Sequence, residues 1–219
     1  MKTLILLTLA FSTINSLRAQ SRYLDSTRTT FSFVGGLGAS EDVFSTSIGG
    51  VFTVKGTLDF GIQIGSAKTK KSIDYDNGDP IIDKGSPATL FSGQAYLYML
   101  NQNKGNNINF GVSLAGSNVF YDEANLNSII AGFHLSKRET EDEITSITFN
   151  VEPMFVLINE LNIKESGRTL TRKPFFSGSI SFGVSRKLED SRIVFFEPGI
   201  VYEHKSQSVF GGITIGLIL

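Results

Sequence analysis

The last twelve residues, Ser208–Leu219, read S-V-F-G-G-I-T-I-G-L-I-L. Val209, Gly211, Ile213, Ile215, Leu217 and Leu219 are apolar or glycine, and Ser208, Gly212, Thr214 and Gly216 alternate with them. A repeat of two is the spacing of a strand, whose successive side chains point to opposite faces. At about 3.3 Å per residue the stretch is roughly as long as the 9–11 residues that a tilted strand needs to cross a bilayer. A strand in the final position predicts either the edge of an open sheet or the seam that closes a barrel.

The same period recurs upstream. Thr29–Ala39 sets Phe31, Phe33 and Leu37 against Thr30 and Ser32, and Phe44–Val54 sets Phe44, Ile48 and Phe52 against Ser45, Ser47 and Thr53. Lys55-Gly56 between them and the next run is a two-residue hairpin signal. Thr57–Ser66 alternates most cleanly, with Leu58, Phe60, Ile62 and Ile64 opposing Asp59, Gly61, Gln63 and Gly65. Further strands are predicted over Leu90–Leu100, Ile108–Ser117, Leu126–Ser136, Ile144–Leu157, Phe176–Ser185 and Ile193–Tyr202. Ala67–Pro87 and Asn159–Lys173 read as long polar loops, and Lys137–Glu143 and Lys187–Ser191 as charged turns. Two dipeptides, Glu152-Pro153 and Glu197-Pro198, fall inside strands, where a proline withholds a ladder donor, so a bulge is expected at each. The count is about ten strands, an even number, with eight as the alternative.

Alternation alone fits a soluble sandwich or a lipocalin-like barrel as well. The chemistry of the two faces separates them. A water-facing side would be rich in Lys, Glu, Arg and Asp, whereas here the polar face is Ser, Gly, Thr, Asn, Gln and Tyr and the charge sits in the connections. That is the pattern of a lumen of small polar groups behind a lipid-facing apolar belt. Lipid also requires every backbone polar group to be paired within the protein, and for strands only closure achieves this. The fold expected is therefore an all-β, closed, antiparallel, up-and-down transmembrane barrel. Short turns on one side and the longest loops on the other place both mature termini in the periplasm.

Composition narrows the function. A net charge of −1 with 19% charged residues offers no footprint for nucleic acid, and the absence of cysteine removes any disulfide framework or thiolate metal site. After the N-terminus no apolar run approaches the ~20 residues of a spanning helix. Met1–Gln20 combines Lys2, an apolar run over Leu4–Ile14 and the small-residue site Leu17-Arg18-Ala19. It reads as a signal peptide, 1–19, cleaved on export. Residues 20–28 then form a short periplasmic segment and 29–219 the barrel.

With these residues in view, the chain resembles the small outer-membrane β-barrel proteins of Gram-negative bacteria, most like the exported barrels of the Bacteroidota. The resemblance covers Thr29–Leu219, and the Ala19-Gln20 junction looks like the signal ends common in that group. It implies residence among outer-membrane lipid and lipopolysaccharide. It also implies recognition of Ser208–Leu219 by the barrel-insertion machinery, although Leu219 departs from the usual terminal aromatic. His134 two residues before Ser136 is similar to the pair used by outer-membrane lipid A deacylase barrels, with Glu152 available as the carboxylate. Those enzymes work on lipid from the outer surface, whereas strand parity points His134 and Ser136 into the lumen.

The other candidate groups share that lumen. Parity turns Asp59, Gln94, Tyr96, Tyr98, His134, Asn150, Glu152 and Glu197 inward, where paired polar side chains fill a narrow interior. Glu152 and Glu197 would together bind a cation or raise each other's pKa, or each would be taken up in the hydrogen-bond network, which is the reading preferred. Asp74, Asp76, Asn77 and Asp79 around Gly78 lack the glycine position and bidentate Glu of a calcium loop, so a solvated hairpin is expected. Lys68, Lys70 and Lys71 in the same loop could contact anionic lipopolysaccharide phosphates, but the nearby aspartates cancel their charge. No cofactor or metal site is expected. The function expected is a non-enzymatic outer-membrane barrel with a narrow or filled lumen, serving envelope integrity, surface interaction or passage of very small solutes. The alternatives are an envelope lipid hydrolase and an accessory barrel of a secretion or surface-display complex.

Overall fold

Alternating segments become strands because each can bury one face only by pairing edge to edge with its neighbours, and the last strand completes a closed ring. The computed structural model describes residues 21–24, 28–74, 80–141, 144–205 and 207–219. The signal reading of 1–19 and most of the Asp74–Asp79 cluster lie outside them. The barrel has ten antiparallel strands. They are β1 (Thr30–Ala39), β2 (Val43–Val54), β3 (Leu58–Thr69), β4 (Pro87–Leu100), β5 (Asn109–Phe120), β6 (Ala124–Thr140), β7 (Thr145–Ile163), β8 (Phe175–Lys187), β9 (Ile193–Glu203) and β10 (Ser208–Ile218). Each pairs with its sequence neighbours, and β1 pairs with β10 through Ser32↔Ile218 to Ala39↔Gly211. The C-terminal stretch is thus the seam, and no barrel strand has a free edge.

Lys55 and Gly56 both have positive φ, 49° and 59°, the backbone of the tight hairpin turn their sequence anticipates. Two of the expected loops are instead partly strand. β3 runs on through Ala67–Thr69, and a small hairpin pairs Ile73–Asp74 with Pro80–Ile82 inside the Ala67–Pro87 connection. β7 extends to Ile163, with Thr169–Thr171 folded back on it, over residues expected as polar loop. The cause is a bulge. The register shifts between Ile129 and Ile130, so that Ile158 and Val156 become consecutive partners and Leu157 is extra. Leu157 and Ile158 both face outward, and the parity of everything beyond them reverses. A second register shift between Tyr98 and Leu100 leaves Met99 and Leu100 both exposed. The bulges expected at Pro153 and Pro198 do not occur: Gly178↔Pro153 and Pro198↔Ile213 stay in register with their neighbours. A missing N–H at these places removes a ladder bond without inserting a residue.

The outer face carries large apolar side chains from every strand. Phe33, Ile48, Ile62, Leu97, Leu114, Phe133, Phe155, Ile180, Phe196 and Ile215 form one band, and Ile48 and Ile62 are 68% and 66% exposed. Outward charges, such as Lys68, Lys137, Glu139 and Arg186, appear only near strand ends. Inside, the contents are layered. At the end holding the termini, Leu24, Val34, Val51, Ile193, Phe195 and Ile218 form an apolar cluster with Tyr23. At the opposite end Val43, Ile82, Leu90, Val119, Tyr121, Leu126 and Leu161 pack together. Phe210, Phe175, Met154 and Ile130 are the core of a third cluster.

Candidate functional site

The polar residues among these clusters form two hydrogen-bonded groups. His134 and Ser136 lie two apart on β6 and therefore share the inward face, and Glu152 arrives from the paired strand β7. Glu152 Oε1 lies 2.7 Å from His134 Nδ1, and Ser136 Oγ lies 3.1 Å from His134 Nε2. A carboxylate only accepts, so Nδ1 donates to Glu152, and Nε2 on the far side of the ring is paired with the Ser136 hydroxyl. Ser136 Oγ in turn accepts from Asn109 Nδ2 at 3.2 Å. The Tyr96 hydroxyl donates to Glu152 Oε1 and the Ser179 hydroxyl to Glu152 Oε2, both at 3.4 Å. The rings of Tyr96 and Tyr98 stand edge-on to the imidazole, centroids 5.7 and 5.5 Å away.

The second group is organised around Glu197 on β9. It receives hydrogen bonds from the Arg22 guanidinium, the Tyr23 hydroxyl and Ser181 Oγ, and from Asn150 Nδ2 at 3.2 Å. Arg22 and Tyr23 come from Ser21–Leu24, a segment that enters the lumen. Tyr23 stacks on Phe195, centroids 4.6 Å apart, and the Leu24 carbonyl accepts from Arg138. The wall is shaped for it: a Cβ on Gly183 would come within 2.4 Å of the Tyr23 hydroxyl. Glu152 and Glu197 are thus each taken up in a hydrogen-bonded group, as the network reading expects.

All eight expected lumen residues are buried and inward. Asp59, Gln94 and Tyr98 lie on the β3–β4 wall, with Asp59 opposite Tyr96 in the ladder. Arg22, Tyr23, Asn109, Ser179 and Ser181 complete the groups and were not legible as site residues. A plug segment has no periodicity to reveal it, and an inward Ser looks like any other. Among the described residues no group of three or more His, Cys, Asp or Glu side chains comes together to hold a metal.

Chemically, the order Ser136, His134, Glu152 is that of a nucleophile, base and orienting carboxylate. Hydrolysis also needs a place about 3 Å from the nucleophile for a reacting carbonyl. His134 is 0% exposed and Ser136 is 1% exposed. In this arrangement the three residues are a closed polar core. At the loop end, a hydrogen bond from Lys71 holds the Glu41 carboxyl below its ordinary range.

No protein-family model matches the chain, and no curated protein sequence matches it. Solved structures similar to it include Neisserial surface protein A, at 10% identity over 87% of this chain and 94% of that one, TM-score 0.42. Another is the attachment invasion locus protein Ail of Yersinia pestis, at 10% identity, 87% and 95% coverage and TM-score 0.41. A third is the β domain of the Bordetella autotransporter BrkA, at 8% identity, 87% and 98% coverage and TM-score 0.47.

Proposed function

We propose that the chain is a non-enzymatic outer-membrane β-barrel protein with a side-chain-filled lumen, serving envelope integrity or surface interaction. The observation that carries this reading is the uncharged outer band. Ten strands each present large apolar side chains outward, and no soluble barrel of this size has a reason to give water that face. The layered interior supports a closed lumen: apolar clusters occupy both ends, and Arg22–Glu197 bridges the middle. With the termini in the periplasm, the connection holding the Ile73–Asp74 and Pro80–Ile82 hairpin and the β7 extension project outside. Export by the 1–19 signal, insertion through Ser208–Leu219 and a Bacteroidota-like envelope belong to the same proposal. Membrane fractionation with boiled and unboiled gel mobility tests it. Outer-membrane location, a heat-dependent shift and an absence of large single-channel steps in planar bilayers are expected. A soluble protein without a shift would overturn it.

A second reading, an envelope hydrolase, is favoured by one observation, the Ser136–His134–Glu152 relay. A fluorophosphonate that labels the folded wild type but not Ser136→Ala, together with altered lipid A mass spectra on expression, would establish it. Neither effect is expected if the relay is a closed core.

A further inference from the structure

The outer wall has a depression. Gly35 on β1 points outward between Ile48 and Ile215, and Gly50 on β2 between Phe33 and Ile62. The Phe31 ring lies across Gly50, where a Cβ would come within 2.5 Å of it, and stands edge-on to Phe33 at 5.0 Å. The side chain missing at Gly35, with the Phe31 ring folded over Gly50, leaves an open apolar trough of about 1530 Å³, running from β10 across β1, β2 and β3 to β4 and touching Val194 on β9. Four strand spacings of about 4.8 Å make it roughly 19 Å wide, more than one hydrocarbon chain needs. Phe31 to Leu37 covers roughly 20 Å at about 3.3 Å per residue, against the ~15 Å that half of a ~30 Å hydrocarbon core gives one leaflet.

The trough changes chemistry toward the loop end. Thr46, Ser66 and Thr89 are direct ladder partners in one row across three strands, and the hydroxyls of Thr46 and Ser66 lie 3.1 Å apart. The next outward residue on β3 is Lys68, between Phe44 and Pro87. Read upward along β3, the outward face is therefore Ile62, Ile64, Ser66, Lys68: hydrocarbon, then hydroxyl, then cation. The neighbouring lysines are engaged. Lys71 pairs with Glu41 and with Asp42 at 3.2 Å, and Lys70 donates to the Ser40 carbonyl at 2.7 Å. Among the described residues no carboxylate pairs with Lys68.

We propose that this trough is a retained binding site for the phosphorylated, multiply acylated lipid A portion of lipopolysaccharide. Acyl chains lie over Gly35 and against the Phe31 ring that covers Gly50, the hydroxyl row meets the sugar and ester oxygens, and Lys68 takes a phosphate. The site deepens the membrane-barrel reading and rests on it, since that reading turns the loop end toward the outer leaflet. Its width fits a lipid with several chains, and its cation fits a phosphate.

The test is native mass spectrometry of the protein extracted from outer membranes in mild detergent, with gel mobility measured on the same samples. Gly35→Leu fills the trough without disturbing the wall, because a Cβ there meets nothing nearer than the Ser47 carbonyl oxygen at 3.8 Å. Lys68→Glu reverses the cation. The wild type should keep one lipid A-bearing glycolipid per chain, and each variant should lower the retained fraction roughly tenfold with the heat shift unchanged. Equal retention in all three proteins, retention of phosphatidylethanolamine instead, or a dimer lost on Gly35→Leu would overturn the site while leaving the barrel standing. Absence of the heat shift in the wild type would overturn the barrel reading itself.

Discussion

Glu152 Oε1 and His134 Nδ1 lie 2.7 Å apart across the β6–β7 pair, with 4% and 0% of their side chains exposed. Three donors converge on that carboxylate: the imidazole N–H and the hydroxyls of Tyr96 and Ser179. Glu152→Leu strands all three and should cost about 3 kcal/mol or more, since each buried polar group left without a partner costs about 1–3 kcal/mol. Glu152→Gln keeps an oxygen acceptor and should cost about 1–2 kcal/mol. Urea titration in detergent, followed by the unboiled gel shift, measures both. Equal costs for the two variants would show that hydrogen-bond acceptance is not what Glu152 supplies.

Arg22 and Glu197 make the corresponding link between the N-terminal segment and the wall. Arg22→Met removes the cation beside the carboxylate while Tyr23, Ser181 and Asn150 still donate to it, and should destabilise by about 3–5 kcal/mol. The double variant Arg22→Met, Glu197→Leu removes both charges, so its cost should fall well below the sum of the single ones. A coupling of about 1–3 kcal/mol is expected from the double-mutant cycle. Additive costs would mean that the two side chains do not interact in the folded barrel.

The fit of the segment can be tested without touching a charge. The chain has no cysteine, so Leu24→Cys gives a single thiol, at a position 0% exposed. With Ser21–Leu24 seated, maleimide should react slowly there. Gly183→Leu puts a side chain where Tyr23 lies and should raise the labelling rate roughly tenfold by shifting the segment out of its niche. An unchanged rate would mean that Gly183 is not what seats Tyr23.

Sequence and structure agree where the period of two is unbroken. β3, with Phe60, Ile62 and Ile64 outward and Asp59 and Gln63 inward, was legible residue by residue, and so were the closing role of Ser208–Leu219 and the inward face of His134. Agreement stops at the Leu157 bulge, where one extra residue reverses parity and makes the rest of β7 look like a polar loop. The pair His134 and Ser136 could be placed on one face, but their hydrogen bond depends on rotamers set by Asn109 and Glu152, which sequence spacing does not encode. Ser21–Leu24 was beyond reach for a different reason. Four residues carry no repeat, and their place is fixed only by the niche of Gly183, Phe195 and Glu197 on strands far along the chain.

The outer band permits a test in which water and lipid give different answers. Ile62 is 66% exposed, and in a soluble barrel Ile62→Lys would change stability by only about 0.5 kcal/mol or less, as surface substitutions do. In a bilayer the same change places an ammonium near the middle of the hydrocarbon and should cost about 2–4 kcal/mol. Lys68→Ile, at the loop end of the same face, should be nearly neutral because it lies where water and headgroups begin. Folding yields into lipid vesicles across a urea series compare the variants directly. A large loss for Ile62→Lys beside a small change for Lys68→Ile locates the hydrocarbon between those two heights on β3. Similar small effects at both would leave the apolar band without a lipid to face.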